Sequence, residues 1–301
     1  MPLDYLIIAN PTSGAHSAPL LATRVRELIA QAGKSVDLKV TTRRGDAEAF
    51  ARQAGTDGVG TVVACGGDGT LQEAATGLLG SNTGFGVLPG GRCNDFAHAL
   101  GLSKTDAPEK LADILIRGKV QATDVGLASG KVFLTVATLG FDSEVSRFVE
   151  TRKLWLKGTP AYFYGVMRTL ISFKAPRVRL TGDFGVHEGR VLLAATGNAS
   201  CYGGAMHIAP GARVDDGIFQ LCVVDEVPRF TVARILPRVL KGTHIEHPAV
   251  RLYNTRSVLV EALDGPQFIC ADGETIGQTP MTFEVKPGAL KIRVPETQPR
   301  N

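Results

Sequence analysis

No stretch of the chain approaches the roughly 18 to 20 consecutive apolar residues needed to cross a bilayer, although 44% of its residues are hydrophobic. Its start, Met1-Pro2-Leu3-Asp4-Tyr5, lacks a basic leader and runs directly into an apolar strand pattern, so no signal peptide is expected. Together these absences predict a cytoplasmic protein. Cysteine is sparse as well: five residues, at 65, 93, 201, 222 and 270, odd in number and free of CxxC spacing. That excludes a disulfide framework and a zinc site and predicts reduced, mostly buried thiols. The net charge of +4 is too small to imply a nucleic-acid partner. None of the six histidines shows metal-ligand spacing with another or a Ser/Asp partner pattern. Internal repeats and low-complexity linkers are missing too.

What is present is a change of rhythm. At 301 residues the chain exceeds the length at which one hydrophobic core keeps growing. Two domains are expected, residues 1–124 and 125–294, followed by a loose polar tail at 295–301. In the first, short apolar runs alternate with 3.6-residue periodicity: strands at 5–9, 35–41, 61–65 and 85–89, helices at 18–32, 46–53, 71–79 and 108–117. Strands spaced by helices imply βαβ units and a doubly wound parallel sheet. From about residue 121 the runs become strand-like: 132–138, 178–180, 191–197, 217–224, 257–262, 267–271, 281–285 and 290–294, with helical stretches at 159–173 and 230–241. A mostly antiparallel β-sandwich or barrel fits this second pattern.

Gly66-Gly67-Asp68-Gly69-Thr70 follows the third strand and opens the helix that carries Leu71 and Gln72. A strand that ends in glycines before a helix presents main-chain N–H groups at the positive helix end, a place to hold phosphate. Asp68 would repel that phosphate unless a divalent cation lay between them. Asn10-Pro11-Thr12-Ser13-Gly14 follows the first strand and offers hydroxyl and N–H donors. Gly90-Gly91-Arg92-Cys93-Asn94-Asp95 follows the fourth, with Asn94 or Asp95 placed to cap the next helix and Arg92 suited to an anionic phosphate. Open parallel sheets bind ligands beyond the carboxyl ends of their strands, so these three loops should meet at one rim. Neither GxxxxGK[ST] nor the protein-kinase motif set is present, which leaves metal, Arg92 and backbone donors to neutralise charge.

Asp272-Gly273-Glu274 falls in a predicted hairpin turn, where acids are often merely solvated. Beside a phosphate donor, Glu274 could instead accept the proton of an attacking hydroxyl. Asp215-Asp216-Gly217 reads equally as a hard-cation site or as an ordinary turn. From Arg147 to Arg179 there are eight Lys or Arg against one acid, Glu150, interleaved with Trp155, Tyr162, Phe163, Tyr164 and Phe173. Such a mixture suits an anionic membrane surface, or a solvated helix face over a core.

Taken as an ordered set, NPxSG, GGDGTLQE, PxGxxNDFA, Asp124-Val125-Gly126, Gly140-Phe141-Asp142, Ala209-Pro210 with Asp215-Asp216-Gly217, and the late DGE resemble the bacterial diacylglycerol kinase-like lipid kinases, a family that includes sphingosine and ceramide kinases. The resemblance implies a two-domain enzyme that uses ATP and magnesium to phosphorylate the hydroxyl of diacylglycerol or a related lipid. It implies nucleotide contacts at Asn10, Pro11, Thr12, Ser13, Gly14, Thr41, Gly66, Gly67, Asp68, Gly69, Thr70, Leu71, Gln72, Gly91 and Arg92. It also implies a catalytic magnesium network through Asp68, Asp95 and Asp124, a structural magnesium at Arg213, Asp216 and Ile218, and Glu274 as proton acceptor. The partner implied is a lipid at a membrane surface, reached by peripheral contact at the inner face, with a homodimer compatible and no nucleic acid. Two positions depart from the family pattern: Arg92 replaces a threonine, and Ala15-His16 stands where a lysine is usual. The alternatives are a soluble kinase of the NAD kinase type, which NPxSG and DGE oppose, and a decayed regulator, which intact Asp68 and Glu274 oppose.

Overall fold

The computed structural model describes residues 2–152, 159–204 and 206–296, and the chain divides into two compact units. The first comprises residues 1–125, 214–216 and 286–301, the second 126–213 and 217–285. Lys153, Trp155 and Lys157 lie outside the described residues, as do the side chains of Glu150, Tyr162 and Phe163 and the tail beyond 296.

The first unit runs β1 (Tyr5–Ala9), α1 (Ala18–Gln31), β2 (Val36–Val40), α2 (Asp46–Thr56), β3 (Thr61–Gly66), α3 (Asp68–Leu78), β4 (Gly84–Pro89), α4 (Asp95–Ala99), α5 (Pro108–Arg117) and β5 (Lys119–Ala128), whose last residues pass into the second unit. The sheet is parallel in the order β4-β3-β1-β2, with Ile7 beside Val63 and Leu38 and Val63 beside Gly86. Every residue of β1 and of β3 is buried, as continuous apolar runs in a parallel sheet require. α1 buries Ala18, Ala22, Val25 and Ile29 at helical spacing and packs against α5, and α2 packs against α3. α3 begins three residues earlier than its apolar periodicity predicts. Gly67 is extended (φ −88°, ψ −179°) and its carbonyl accepts the N–H groups of Thr70 and Leu71, so the glycine-rich segment itself forms the first turn.

The second unit contains β6 (Lys131–Phe133), β7 (Val136–Gly140), α6 (Phe141–Thr151), α7 (Thr159–Ser172), β8 (Arg177–Gly182), β9 (Gly185–Gly197), β10 (Phe219–Asp225), α8 (Arg229–Val239), β11 (Val250–Thr255), β12 (Ser257–Ala262), β13 (Phe268–Ala271), β14 (Glu274–Gln278) and the start of β15 (Met281–Val294). All its strand pairings are antiparallel. β9 is shared. Residues 185–190 pair with β8, which continues through β12 to β15. Residues 191–197 pair with β10 and β7, from which β11, β13 and β14 extend. Phe133, Phe219 and Phe283 form one core, with ring centroids 5.6 and 6.0 Å from Phe133. Burying each contributes about 1.5–3 kcal/mol. A second cluster packs α6, α7 and α8 through Val145, Val166 and Val232 against Leu193 and Cys222.

The run 132–138, read as one strand, is split at Leu134-Thr135, and the two runs 281–285 and 290–294 are one strand, β15. From Lys286 that strand belongs to the first unit, where Ile292 lies parallel to Phe85. α6, β11 and β14 are additions that periodicity did not suggest, and Glu274, expected within a turn, instead begins β14.

Candidate active site

Three loops of the first unit meet main chain to main chain. Asn10 leaves β1 with its N–H bonded to the Cys65 carbonyl (3.0 Å). Its side chain donates to the Thr70 hydroxyl (3.1 Å) and accepts from the Thr12 N–H (3.0 Å) and hydroxyl (2.9 Å). The Ser13 hydroxyl accepts the Gly67 N–H at 3.3 Å, so one amide of the glycine turn is already engaged by a neighbouring loop. Gly14 sits at φ +60°, and a Cβ there would lie 2.4 Å from the Gly90 carbonyl oxygen. A Cβ on Gly91 would lie 2.4 Å from the Gly67 Cα and 2.9 Å from the Asn94 Oδ1. Only glycine permits these approaches. Thr41, buried just past β2, donates its N–H to the Ala9 carbonyl (2.9 Å) beside the first loop.

Asp68, in the first turn of α3, is half-buried, and its carboxylate accepts the main-chain N–H groups of Asn94 (3.1 Å) and Phe96 (3.4 Å). It thereby caps α4 from another helix. Asn94 does not cap α4, contrary to expectation. At φ +57° its amide turns back to Gly91, accepting the N–H (2.7 Å) and donating to the carbonyl (3.2 Å). Burial raises the Asp68 carboxyl above its ordinary value, and the N–H groups of Phe96 and Asn94 oppose that rise. Burial also raises the Cys93 thiol, which the charges of Asp95 and Asp68 push further while Arg92 pulls it back. These four groups therefore share one electrostatic neighbourhood. Arg92 and Gly69 are exposed, Asp95 is buried, Gln72 is half-buried, and Leu71 is fully buried in the core, so any ligand contact by Leu71 runs through its backbone.

Asp124 is held within the same unit: its main-chain N–H donates to the Val214 carbonyl (2.7 Å) and its side-chain Oδ1 accepts the Gly288 N–H (2.7 Å). Asp216 is exposed in the first unit, whereas Arg213 and Ile218 belong to the second. Among the described residues no group of three or more His, Cys, Asp or Glu side chains converges to hold a metal. The oxygen donors present fit magnesium in its usual form, held by one or two carboxylates and completed by water and phosphate, not in a protein-only cage.

In the second unit Glu274 opens β14, half-buried and paired with Ala271. The turn before it is anchored by Asp272 at φ +49°. The Asp272 carboxylate accepts the Leu134 N–H (2.8 Å), the Thr135 N–H (2.8 Å) and the Thr135 hydroxyl (2.6 Å). Asn198 N–H and amide donate to the carbonyls of Thr135 (2.8 Å) and Leu134 (2.9 Å). Sequence reading missed this anchoring by Asp272 and the staple by Asn94. Asn and Asp tolerate the left-handed region that both positions adopt, and at Asp272 the following Gly273 was a further signal of a turn.

A family model described as the diacylglycerol kinase catalytic domain matches residues 4–128, and one described as the YegS C-terminal NAD kinase beta sandwich-like domain matches 135–294. The chain is 30% identical over 279 residues to the diacylglycerol kinase of Bacillus subtilis (strain 168), covering 92% of this chain and 91% of that protein. It is 31% identical to that of Staphylococcus carnosus (strain TM300), covering 92% and 90%. A Citrobacter koseri protein named "Probable lipid kinase YegS-like" matches at 30% over 98% of this chain and 97% of its own. The crystal structure of a diacylglycerol kinase from Bacillus anthracis str. Sterne superposes with a TM-score of 0.76 at 21% identity, over 99% of this chain and 100% of that one, which establishes the fold. With both units matched along nearly their whole length, the chain belongs to the bacterial diacylglycerol kinase-like lipid kinase family.

Proposed function

We propose that this protein transfers the γ-phosphoryl group of ATP to the hydroxyl of diacylglycerol or a related lipid. The observation that carries the reading is the meeting of three glycine loops at the carboxyl ends of parallel strands, with Asp68 and Arg92 among them. Main-chain amides of the 66–72 segment and the donors of Asn10, Thr12, Ser13 and Arg92 would hold the nucleotide phosphates, and Thr41 would border them. Asp68, Asp95 and Asp124 would organise the catalytic magnesium, and Arg213, Asp216 and Ile218 a structural one. When bound, magnesium neutralises charge on the phosphoryl group in transfer. Glu274, held by the Asp272 anchor, accepts the proton of the lipid hydroxyl as its oxygen attacks.

The lipid is met at a membrane surface in this reading. No helix among the described residues is long and apolar enough to cross a bilayer, and α7 leaves Tyr164, Met167 and Ile171 exposed at helical spacing. The test is transfer of labelled phosphate from ATP and magnesium to diacylglycerol, ceramide, sphingoid base or undecaprenol in mixed micelles, with NAD as the soluble comparison. Glu274→Gln should lose about 10²- to 10⁴-fold in kcat while retaining nucleotide affinity. Full activity in that variant would remove Glu274 as the proton acceptor, and transfer to NAD alone would replace the lipid reading.

A further inference from the structure

The second unit holds a cavity of about 350 Å³ between α6 and α7, and its charge is one-sided. Among the described residues, Arg147, Arg152, Arg168 and Lys174 line it against a single carboxylate, Glu144. That carboxylate is already bound by the Arg147 guanidinium at 2.9 Å. Arg147 also lies 4.6 Å from the centre of the Phe268 ring, and Arg152 lies 4.9 Å from that of Phe148, so aromatic faces orient both guanidinium groups. Among the described residues, Arg168 and Lys174 form no ion pair. The neutral polar groups on the wall, Thr169, Ser172 and Gln267, can all donate hydrogen bonds.

With Arg147 paired to Glu144, the charges of Arg152, Arg168 and Lys174 still repel one another across the concavity, and an entering anion would relieve that repulsion. A wall of guanidinium, ammonium, hydroxyl and amide donors with its one carboxylate already satisfied matches a phosphate group, for which Arg supplies planar two-pronged recognition and Lys a point charge. We propose that this cavity binds a phosphate group, presented by a lipid headgroup or by a small phosphorylated molecule. The site uses no residue of the glycine loops and no turnover, so the proposal stands or falls independently of the kinase reading.

The test compares the protein with Arg168→Gln/Lys174→Gln and with a charge-matched control, Arg26→Gln/Lys34→Gln. All four side chains are exposed, so the fold should survive in each. One arm titrates glycerol 3-phosphate by calorimetry. The other measures co-sedimentation with phosphatidylcholine vesicles with and without phosphatidic acid. Loss of at least about tenfold in affinity in the cavity variant only, in either arm, supports the site, since each charge-assisted bond removed is worth that much or more. The arm that responds identifies the source of the phosphate. Absence of binding in both arms overturns the proposal. So does unchanged affinity in the cavity variant, or an equal loss in the control, which would mean diffuse charge alone.

Discussion

The carboxylate of Asp124 accepts the main-chain N–H of Gly288 at 2.7 Å, a bond between residues 164 positions apart. It pins the returning half of β15 to β5 within the first unit, and Gly288 itself is left-handed at φ +58°. Asp124→Ala should therefore lower stability by about 1 kcal/mol or more through the lost acceptor. Asp124→Asn keeps an acceptor and should leave the melting temperature nearly unchanged. If Asp124 also organises magnesium, the Asn variant alone will separate the roles, losing turnover without losing stability. Thermal melts and phosphate transfer on the two variants decide this.

Gly67 and Gly91 face each other across two loops but do not tolerate a side chain equally. A Cβ on Gly91 would lie 2.4 Å from the Gly67 Cα, whereas one on Gly67 would lie 3.4 Å from the Gly91 Cα, an ordinary contact. Gly91→Ala should push the loops apart and destabilise by about 1–3 kcal/mol. Gly67→Ala should melt within a few degrees of the parent yet bind nucleotide at least about tenfold more weakly, because the methyl group would narrow the turn that approaches phosphate. Equal nucleotide affinity in Gly67→Ala would place the phosphates elsewhere.

Burial raises the Asp68 carboxyl above its ordinary 3.8, so the folded state favours its protonated form. Its contribution to stability is full below 3.8 and is lost as pH rises through the folded value, leaving the charged group working against folding at pH 7. With divalent ions chelated, Asp68→Asn should gain stability over the parent as pH increases from 4 to 7, by about 2–4 °C for each kcal/mol. The same variant should lose at least about 10² in turnover. A variant uniformly less stable at every pH would show that the bonds to Asn94 and Phe96 outweigh the burial penalty.

His244 is fully buried, with Nε2 against the Ile208 carbonyl at 3.1 Å and Nδ1 without a partner among the described residues. Burial lowers its titration below 6.5. Stability from the neutral ring is fully present above 6.5 and declines as pH falls toward the lowered folded value, because the unfolded chain takes up the proton first. Urea midpoints at pH 7.5 and 5.5 should differ for the parent and converge in His244→Gln. An equal drop in both proteins would assign the acid sensitivity to other groups.

Much of this was legible from residues three or four positions apart. The apolar runs 5–9 and 61–65 and the helix 108–117 coincide with β1, β3 and α5 to within one residue. The convergence of the three glycine loops followed from their common position at strand ends. Capping of α4 was misread because Asn94 and Asp95 are adjacent to the helix in sequence, whereas the carboxylate that serves it, Asp68, lies 26 residues earlier on another helix. The apparent single strand 132–138 broke at Leu134-Thr135 because a carboxylate 138 residues away collects their N–H groups.

By itself the sequence determined most of the helices and strands of the first unit, where glycine is indispensable, and which side chains can bear charge at the strand ends. These depend on local periodicity and on the conformational reach of each residue, and they are written at short range. Only the tertiary structure decided that residues 214–216 and 286–296 rejoin the first unit, that Asp68 caps a foreign helix, and that Asp272 anchors the turn before Glu274. Each of these depends on a hydrogen bond or strand pairing between distant residues, whose partners are chosen by the path of the folded chain and by the need to satisfy polar groups it encloses.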